Sequence, residues 1–600
     1  MNPKSITLYA CLLALAILQP AGEVRAQWRH YTNTDDIRAI CRRGDKLWIG
    51  TNGGVVVYDL LTGRVTAPEE IGSRLPSQSI RVITDRGGTI YIGTDRGLLM
   101  SGSTGIETYS SSSRSYFADI RRICFDSAGG LYLCTFGHGV VHLRDGRSSV
   151  ITKTDSLLAN KVYALYQPDE ETTYYATALG LCAYTDESWV WYQAGYGLPR
   201  GEVIAIEPLD ATEFYVLIRG RGIYRFNGER GRRVPLEYQF QEQDVAAIVV
   251  APDGALWAAG RYGGLSRLQY GNWTSYNDAS PEIQHAQWRC AYRDDHGDLF
   301  FGASDGLVAR VRNGTLSTFR IASTLPSNAV SALEEAPENG LLIVSGGHLL
   351  QFSNGTFDPI ETAGHVVSLA VSPDSVLWIA TRWGLFRQAD GMVRDLTPPV
   401  AGLRSYFTSL AFDSTGGLWA GSYDGKVFRY DGALWLPLGD RDELPGESVD
   451  QLVVDSRNRV WMLGRPDGLA RYGGGVWELY PREQFDGDSL GTIAIDNNGR
   501  AVLCTSTSVW RFSEGAGWNV QKLPESMGYV DAFTCDSKGW LYLATVNSLH
   551  VARPDTMLAF DLPSGLRGSV PAALRVDRGG WLWIGFRESG LVRVRLSDLK

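Results

Sequence analysis

The sequence has neither an excess of basic residues nor many histidines. Its 600 residues carry a formal net charge of −9. A general nucleic-acid binder shows a basic excess, so nucleic acid is not expected as a partner. The eight histidines show no His-x-x-x-His or related ligand spacing. The sequence therefore predicts no metal site, and we expect no other cofactor.

Cysteine is also scarce, and its eight positions do not form a metal pattern, because a structural zinc site needs four ligands in close pairs. An exported chain can form disulfides, but removal of the leader described below would leave seven cysteines, an odd number. Cys124 and Cys134 flank a predicted hairpin turn, which leaves open that they lie near one another. The favoured interpretation is that the cysteines are small buried residues.

Beyond the N-terminus no apolar run reaches 18 residues, so we expect no transmembrane segment in the mature chain. The first residues combine Lys4 with the apolar stretch Ile6–Leu18, and Val24 and Ala26 suit a cleavage site. This pattern predicts a signal peptide at residues 1–26, cut after Ala26, and a periplasmic or secreted protein. The alternative is a membrane anchor, for which the run is short.

Glycine and tryptophan are abundant, with 68 and 18 residues, as in an all-β chain with many tight turns. The stretch "LWIGTNGGVVVYD" (Leu47–Asp59) returns in varied form along the chain. It reads "IYIGTDRGLLM" from Ile90, "LWIATRWGLFRQ" from Leu377 and "LWIGFRESGLVRV" from Leu582. Fourteen copies follow one another at intervals of about 41 residues.

Each copy has the same plan of four short apolar strands separated by turn residues, which is the pattern of one propeller blade. A single blade cannot bury both of its faces, so it must stack on neighbours. Fourteen blades exceed the usual four to eight of one ring. The sequence therefore predicts an all-β fold of two seven-bladed β-propellers.

The chain ends indicate how the rings close. The last copy stops after "LVRVRL" and lacks a fourth strand, while "QWRHYT" (Gln27–Thr32) resembles an isolated fourth strand. Their pairing would satisfy an exposed sheet edge. We therefore expect residues 27–285 and 570–600 to form the first propeller, with residues 286–569 inserted as the second. The alternative is a plain split near residue 325.

The glycine-rich loop Asn52–Gly54 is interpreted as a hairpin turn, because a phosphate-binding loop would precede a helix and here a strand follows. The same argument applies to "GASDG" (Gly302–Gly306), which matches the nucleophile-elbow pattern around Ser304 but lacks the strand-to-helix context. Aspartates recur in a fixed turn position, where the side chain binds its own backbone. Those interpreted as structural are Asp413, Asp536 and Asp577.

Ligand-binding residues are expected where the turns between second and third strands depart from the repeat, because these turns surround the channel mouth. An arginine beside an aromatic ring can stack on a sugar and bind an anionic oxygen, and Arg261–Tyr262 and Arg382–Trp383 are the best such pairs. The alternative for each residue is exposed charge that keeps the protein soluble. The candidate residues are Arg96, His138, Arg221, Arg261, Tyr262, Arg382, Trp383, Tyr423, Arg465 and Arg587.

The repeat resembles the two-component-regulator propeller repeat, most clearly at Leu47, Leu377 and Leu582. The resemblance implies a periplasmic double seven-bladed propeller of the kind that senses glycan fragments and signals through an immunoglobulin-like module, a membrane helix and a kinase. The sequence ends at "LSDLK" without such modules, so direct signalling across a membrane is not expected. The repeat also occurs in stand-alone envelope proteins, including a secretion-system component that binds anionic polysaccharide.

Together these observations predict an exported, non-catalytic module that binds an oligosaccharide or another anionic ligand. The alternative is a protein-interaction scaffold of the cell envelope or secretion machinery, with an envelope protein as its partner. A propeller lyase or hydrolase is less favoured, because the polar candidates Asp305, His348, Asp424 and Asp467 show no pairing in the sequence.

Overall fold

The computed structural model describes residues 27–599, except 127–128, 211, 237–243, 278–280, 338–339, 390–391, 399–405, 440–442, 467 and 554–555. The expected signal peptide lies outside the described residues. The strands form fourteen four-stranded antiparallel sheets, which confirms the predicted all-β fold of fourteen blades. Among the described residues, no helix has the length and apolar character needed to cross a membrane.

Blades are numbered 1 to 14 along the chain, and their strands are counted outward from the channel. The strands of the first ring are Ile37–Arg43, Lys46–Thr51, Gly54–Asp59 and Val65–Thr66 in blade 1; Ile80–Arg86, Thr89–Thr94, Gly97–Gly102 and Gly105–Ser110 in blade 2; Ile120–Phe125, Leu131–Thr135, Val140–Arg144 and Arg147–Ile151 in blade 3; Val162–Tyr166, Thr173–Thr177, Gly180–Thr185 and Ser188–Tyr192 in blade 4; Val203–Pro208, Phe214–Ile218, Gly222–Phe226 and Gly231–Arg233 in blade 5; Val245–Val250, Leu256–Gly260, Leu265–Gln269 and Asn272–Ser275 in blade 6; and Trp288–Arg293, Leu299–Ala303, Leu307–Arg312 and Thr315–Arg320 in blade 7.

The second ring repeats this plan, and its last blade is completed by a strand from the N-terminus. Its strands are Val330–Glu335, Leu341–Ser345, His348–Ser353 and Thr356–Ile360 in blade 8; Val366–Val371, Leu377–Thr381, Gly384–Ala389 and Met392–Asp395 in blade 9; Phe407–Phe412, Leu418–Ser422, Val427–Tyr430 and Trp435–Gly439 in blade 10; Ser448–Val454, Val460–Arg465, Gly468–Gly473 and Val476–Tyr480 in blade 11; Leu490–Ile495, Ala501–Thr505, Ser508–Ser513 and Gly517–Lys522 in blade 12; Ala532–Cys535, Leu541–Ala544, Ser548–Ala552 and Met557–Asp561 in blade 13; and Pro571–Val576, Trp581–Phe586, Leu591–Arg595 and Arg29–Tyr31 in blade 14.

Helices are short and lie in the connections between blades, except for the last one, which follows the final strand. The α-helical turns are Glu69–Gly72 and Pro281–His285, and the 3₁₀ turns are Ser115–Phe117, Lys153–Asp155, Ala194–Tyr196, Arg482–Phe485, Glu525–Met527, Ser564–Leu566 and Leu596–Asp598.

The "LWIGT" motif forms each second strand, and its last residue closes the following turn. The Thr51 hydroxyl donates to the Gly54 carbonyl at 2.9 Å and accepts from the Gly53 N–H at 3.0 Å. Gly54 has φ +113, which favours glycine. A Cβ on Gly53 would collide with the Asn33 carbonyl. The glycines of this loop thus serve a hairpin turn, as the sequence predicted.

The hydrophobic core is divided into clusters, each lying between two neighbouring blades. One cluster joins blade 7 to blade 1 through Phe300, Val308 and Ile37, and closes the first ring. Another joins blade 14 to blade 8 through Trp583 and Val330, and closes the second ring. The described residues show no cluster that contains side chains from both rings.

The chain therefore divides between residues 320 and 330, and not at 285 and 570 as the sequence analysis expected. Blade 7 belongs to the first ring, since Gly302 has no side chain and leaves room for Ile37 of blade 1. Blade 14 belongs to the second ring, since Gly585 leaves the same room for Val330 of blade 8. The alternative of a split near residue 325 matches this arrangement.

The N-terminal strand pairs with the last blade, as expected, but it closes the second ring. Tyr31 lies opposite Leu591 in the antiparallel ladder, and its ring packs at 4.9 Å from that of Phe357 of blade 8. The chain then crosses at once into blade 1 of the other ring. The expectation went wrong at this crossing, because it placed the closing strand and the blade that follows it in one ring.

Candidate functional site

The turns between second and third strands lie beside the entries to the first strands, as predicted. In most blades the first turn residue donates its N–H to the carbonyl of the residue that precedes the first strand. Examples are Arg382 to His365 at 3.2 Å and Tyr423 to Tyr406 at 3.0 Å. We call this side of each ring its channel face, because it surrounds the channel mouth.

The candidate residues are distributed over the channel faces of both rings. The first ring carries Arg96, His138, Arg221, Arg261 and Tyr262 on blades 2, 3, 5 and 6, and the second ring carries Arg382, Trp383, Tyr423, Arg465 and Arg587 on blades 9, 10, 11 and 14. The structure thus separates the two best Arg–aromatic pairs into different rings. It brings Arg382, Trp383 and Tyr423 onto neighbouring blades.

Trp383 and Tyr423 present aromatic faces at the second channel mouth. Trp383 is 79% exposed, and its indole packs over Gly364, where a Cβ would lie only 2.6 Å from the indole. Tyr423 is 58% exposed and stacks on Tyr406 with a centroid separation of 5.3 Å and an interplanar angle of 21°. The indole of Trp383 and the phenol group of Tyr423 are thus each supported on one face and open to solvent on the other.

A cavity of about 740 Å³ lies elsewhere, but a smaller one of about 520 Å³ adjoins the Trp383 platform. The smaller cavity is lined by Gly364, on which Trp383 packs, and by His348, Glu361 and His365. Arg382 is exposed and directly precedes Trp383 in the chain. The platform therefore continues into a recess with polar side chains.

Two other arginines of this mouth are paired with carboxylates. Arg465 Nε lies 3.1 Å from Asp450. Burial raises the pKa of Asp531, while the positive charge of Arg587 lowers it in part. One carboxylate oxygen of Asp531 is buried without a hydrogen-bond partner. These groups place charge around the mouth but leave Arg382 as the exposed guanidinium beside an aromatic platform.

In the first ring, Arg96 has a structural role, because its guanidinium donates to the Arg567 carbonyl of the second ring. Arg261 has a buried Nε without a hydrogen-bond partner, and the neighbouring Tyr262 is 73% exposed. His138 and Arg221 lie on separate blades of the same mouth.

Arginines that the sequence analysis missed lie at the start of the first strands. A β-bulge follows the first residue of these strands in every blade except blades 11 and 13, and it leaves the second residue without a partner in the ladder. In blade 11 the bulge follows the second residue, and blade 13 shows no bulge among its described residues. Four bulge residues of the first ring are arginines: Arg38, Arg81, Arg121 and Arg289. The repeated "IR" at 37–38, 80–81 and 120–121 was a signal that could have identified them.

The turn aspartates are structural, as interpreted from the sequence. Asp413 accepts from the Gly417 N–H at 2.8 Å, the Trp419 indole at 3.0 Å and Arg429 Nε at 2.9 Å. Burial alone would raise the pKa of Asp413, but these hydrogen bonds and one from Thr415 outweigh it and lower the pKa. Asp536 and Asp577 bind their own turns in the same way.

The possible nucleophile and thiol sites show no catalytic arrangement. Ser304 lies in a turn between two antiparallel strands, and its hydroxyl contacts Gln287 at 3.5 Å. The seven cysteines of the described chain form no disulfide, and Cys124 and Cys134 lie opposite Tyr132 and Arg122 in the ladder. Burial raises the pKa of the Cys124 thiol, as expected for a packing residue.

The acidic residues considered for catalysis lie apart. Asp305 forms an ion pair with Arg320 at 2.8 Å in blade 7, whereas Asp424 lies 3.7 Å from Lys426 in blade 10. Asp467 is outside the described residues. Within the described ranges, no group of three or more His, Cys, Asp or Glu side chains could hold a metal ion.

No protein-family model and no curated protein sequence matches the chain. Solved structures do. PorZ, an essential bacterial surface component of the type-IX secretion system of Porphyromonas gingivalis, aligns at TM-score 0.74 and 14% identity, covering 95% of this chain and 87% of PorZ. A GH74 xyloglucanase from Xanthomonas campestris aligns at TM-score 0.65 and 15% identity, covering 95% of this chain and 100% of the enzyme.

Extracellular domains of two-component systems are also among the similar structures. One from a hybrid system of B. thetaiotaomicron aligns at TM-score 0.39 and 15% identity, covering 95% of this chain and 83% of that domain. At these identities, the likeness to PorZ and to the xyloglucanase supports the double-propeller fold alone.

Proposed function

We propose that this protein is an exported, non-catalytic binding module, and that the channel face of its second ring binds an oligosaccharide with an acidic group. The observation that carries the proposal is the arrangement of Arg382 and Trp383 beside the Tyr423–Tyr406 stack on the next blade. Two supported aromatic faces and one exposed guanidinium lie on one surface.

The chemistry of these side chains fits an acidic sugar. An indole or phenol ring buries the apolar face of a pyranose, while a guanidinium group donates two parallel hydrogen bonds to a carboxylate or sulfate. An indole that is 79% exposed adds little to the buried core and leaves most of its surface available to a ligand. The support of Trp383 by Gly364 also fixes the ring before a ligand arrives, which reduces the entropy lost on binding.

The comparisons are compatible with this proposal without deciding it. PorZ is described as a surface component of a secretion system. The xyloglucanase, which has the same fold, acts on a polysaccharide. A propeller face can thus serve either assembly or carbohydrate recognition. The periplasmic or secreted location remains part of the proposal.

The test is thermal unfolding of the mature protein with neutral cello-oligosaccharides and with acidic oligogalacturonides. A ligand at 100 times its dissociation constant adds about 2.7 kcal/mol to the free energy of unfolding. We expect Trp383→Ala to remove the shift for every ligand that binds, and Arg382→Ala to weaken acidic ligands selectively. Tyr262→Ala in the first ring is the matched control, since its ring is similarly exposed. A shift that persists in Trp383→Ala would contradict the proposal.

A second candidate function, a protein-interaction scaffold, has one specific observation in its favour. Exposed apolar side chains lie on or beside the outermost strands of four successive blades of the second ring: Met392, Val393, Leu434, Leu436, Val476, Leu479 and Val520. Outer strands are sheet edges, where contiguous apolar surface marks contact sites. If this surface binds an envelope protein, Leu434→Asp with Val476→Asp will abolish retention of that protein and leave the sugar-dependent shift intact.

A further inference from the structure

The channel of the first ring contains a pocket whose charged lining is entirely basic. The pocket has a volume of about 230 Å³ and is formed by the first strands of blades 7, 1, 2 and 3. Four arginines line it: Arg38, Arg81, Arg121 and Arg122. Apolar residues such as Ile83 and Ala291 also line it, and no aspartate or glutamate is among the residues that line it. This site is separate from the platform on the second ring.

The bulges explain why arginines meet at this point. A bulge leaves one residue without a partner in the ladder and re-aims its side chain. Arg38, Arg81 and Arg121 occupy this position in three successive blades. Their side chains are 22–30% exposed, so they are held in the protein but still reach solvent. In the second ring, the bulge residues are Ser331, Val367, Thr408, Asp450, Gly491 and Ala572, none of them basic.

Two carboxylates outside the pocket position the arginines. Asp119 lies 3.1 Å from Arg81 and 2.8 Å from Arg121. Asp36 lies 2.7 Å from Arg38 and, in the same way, 3.2 Å from Arg289 of blade 7. Each carboxylate is thus shared between two guanidinium groups. Each group of one aspartate and two arginines therefore keeps a net positive charge.

The pocket arginines also interact with other residues of the first ring. Arg38 also donates to the Ser79 hydroxyl at 2.9 Å, which joins blade 1 to blade 2. Asp95 does not line the pocket, and its negative charge acts to raise the pKa of Arg81. Arg121 lies 4.7 Å from the ring of Phe136, which holds its guanidinium over an aromatic face.

The crowded guanidinium groups are only partly satisfied. Burial lowers the pKa of Arg81, Asp119 opposes that effect, and the charges of Arg121 and Arg38 lower it further. Nε of Arg121 is buried and has no hydrogen-bond acceptor. A buried donor without an acceptor is unfavourable by about 1–3 kcal/mol, more when it is charged. An anion in the pocket would supply acceptors and reduce the repulsion.

The fourth arginine of the lining, Arg122, is exposed. Arg122 follows the bulge residue of blade 3. Burial raises the pKa of Glu207 across the channel, and the positive charge of Arg122 lowers it in part. Glu207 does not line the pocket. A group that enters the pocket therefore meets four guanidinium groups.

We propose that this pocket binds a compact oxyanion, a phosphate, sulfate or carboxylate group, either as a free ion or as the end of a longer ligand. Guanidinium forks match the planar or tetrahedral oxygens of these groups, which lysines cannot do as well. The small volume admits one such group with little else, and a lining whose charged residues are all arginines disfavours a metal cation. The proposal concerns the first ring and does not depend on sugar binding by the second.

The test is isothermal titration of the mature protein with inorganic phosphate, inorganic sulfate, glucose 6-phosphate and glucuronate. We expect at least one of them to bind, with an affinity that falls as the salt concentration rises. Arg81→Gln and Arg121→Gln should each weaken binding by about tenfold or more, which corresponds to about 1.4 kcal/mol. Binding of inorganic ions would identify a free-ion site, whereas binding of the sugar acids alone would identify an end-group site.

Arg289→Gln is the matched control. Arg289 occupies the same bulge position and pairs with Asp36, but it does not line the pocket. We expect the Arg289→Gln variant to bind the anion with an affinity within about twofold of that of the unmodified protein. Thermal unfolding without ligand shows whether each variant keeps its fold, and Arg81→Lys supplies a charge-preserving variant that should bind with intermediate affinity. No binding by any probe, or equal loss in Arg289→Gln and Arg81→Gln, would overturn the proposal.

An Arg382→Ala variant separates this inference from the proposed function. Arg382 belongs to the second ring and should leave anion binding unchanged. If Arg382→Ala abolishes binding of inorganic phosphate, the anion site is in the other ring and the inference is wrong. If it abolishes only oligosaccharide binding, both proposals stand independently.

Discussion

Asn33 and Asn328 hold the two crossings between the rings together through a pair of hydrogen bonds. The Asn33 N–H donates to Asn328 Oδ1 at 2.6 Å, and Asn328 Nδ2 donates back to the Asn33 carbonyl at 3.2 Å. Both residues are buried. The Asn33 amide also donates to the Leu325 and Pro326 carbonyls at 3.0 Å. The rings share no hydrophobic cluster among the described residues, so these polar bonds connect two separately packed units.

Replacing Asn328 with alanine should loosen the connection between the rings. The change leaves the buried Asn33 N–H without its acceptor, which we expect to reduce the free energy of unfolding by about 2 kcal/mol. It should also separate the unfolding of the two rings into two calorimetric transitions, since this contact is one of those that couple the rings, together with the bonds of Arg96 and Ser564. Asn272→Ala, on an exposed outer strand, is the control. A single unchanged transition in Asn328→Ala would contradict this role.

The ring assignment can be checked with two tyrosines that close different rings. Tyr31 packs against Phe357 at 4.9 Å in the second ring, and Tyr58 stacks on Phe319 at 4.0 Å between blades 1 and 7 of the first. In the Asn328→Ala background, where the rings are expected to unfold separately, we expect Tyr31→Ala to lower only the transition of the second ring and Tyr58→Ala only that of the first, each by about 2–3 kcal/mol. Calorimetry on the two variants decides it. Loss of the same transition in both would argue against the division near residue 325.

The closing strand should weaken in acid through His30. Burial lowers the pKa of His30 from 6.5 to about 4, although its hydrogen bond to the Ser589 carbonyl at 2.6 Å acts in the opposite direction. The unfolded chain therefore binds a proton between about pH 6.5 and pH 4 that the folded chain does not. Stability falls as pH decreases through this window, by less than about 3 kcal/mol because the side chain keeps some exposure.

His30→Gln tests this pH dependence, because glutamine can donate to Ser589 and does not titrate. The slope of the free energy of unfolding against pH should become flatter between pH 6.5 and 4. His296→Gln, in an exposed turn of blade 7, should leave the slope unchanged. An identical slope in His30→Gln and the unmodified protein would exclude His30 as its source.

Asp413 should be important for stability, although it resembles a catalytic acid in the sequence. Its charge is buried among the Trp419 indole, Arg429 and turn N–H groups. We expect Asp413→Asn to reduce the free energy of unfolding by about 2–3 kcal/mol, because it leaves Arg429 facing an amide. The lowered pKa means that this contribution is present at neutral pH and is lost only below about pH 4.

The comparison for this prediction is Asp145→Asn, at an exposed turn, which should change the free energy of unfolding by less than about 0.5 kcal/mol. Denaturant unfolding at pH 7 measures both variants. Equal stability of Asp413→Asn and Asp145→Asn would show that the turn does not need the charge.

The candidate site was only partly predictable. The turn positions of Arg382 and Trp383 follow from the repeat, because a departure from a structural pattern at an exposed turn is visible in the sequence. The support beneath Trp383 by Gly364 was not, since those residues are 19 apart and meet only through the blade. Arg96 is conspicuous in the sequence, yet the structure uses it in a contact with the second ring.

The pocket arginines show the same limit. Arg38, Arg81 and Arg121 are separated by about forty residues, and each taken alone resembles an ordinary charged residue of a strand. Their convergence requires both the ring and the bulge that turns each side chain into the channel. Arg289 occupies the same bulge position, but it does not line the pocket.

The sequence alone determined the number of blades, their strand order, the hairpin role of the glycine loops and the pairing of the N-terminal strand with the last blade. These features depend on local periodicity and turn chemistry, which recur in every repeat. Only the tertiary structure decided which blades close each ring. All blades present similar apolar edges to their neighbours, so closure depends on particular contacts, such as those of Ile37 with Gly302 and of Val330 with Gly585, between residues distant in the chain.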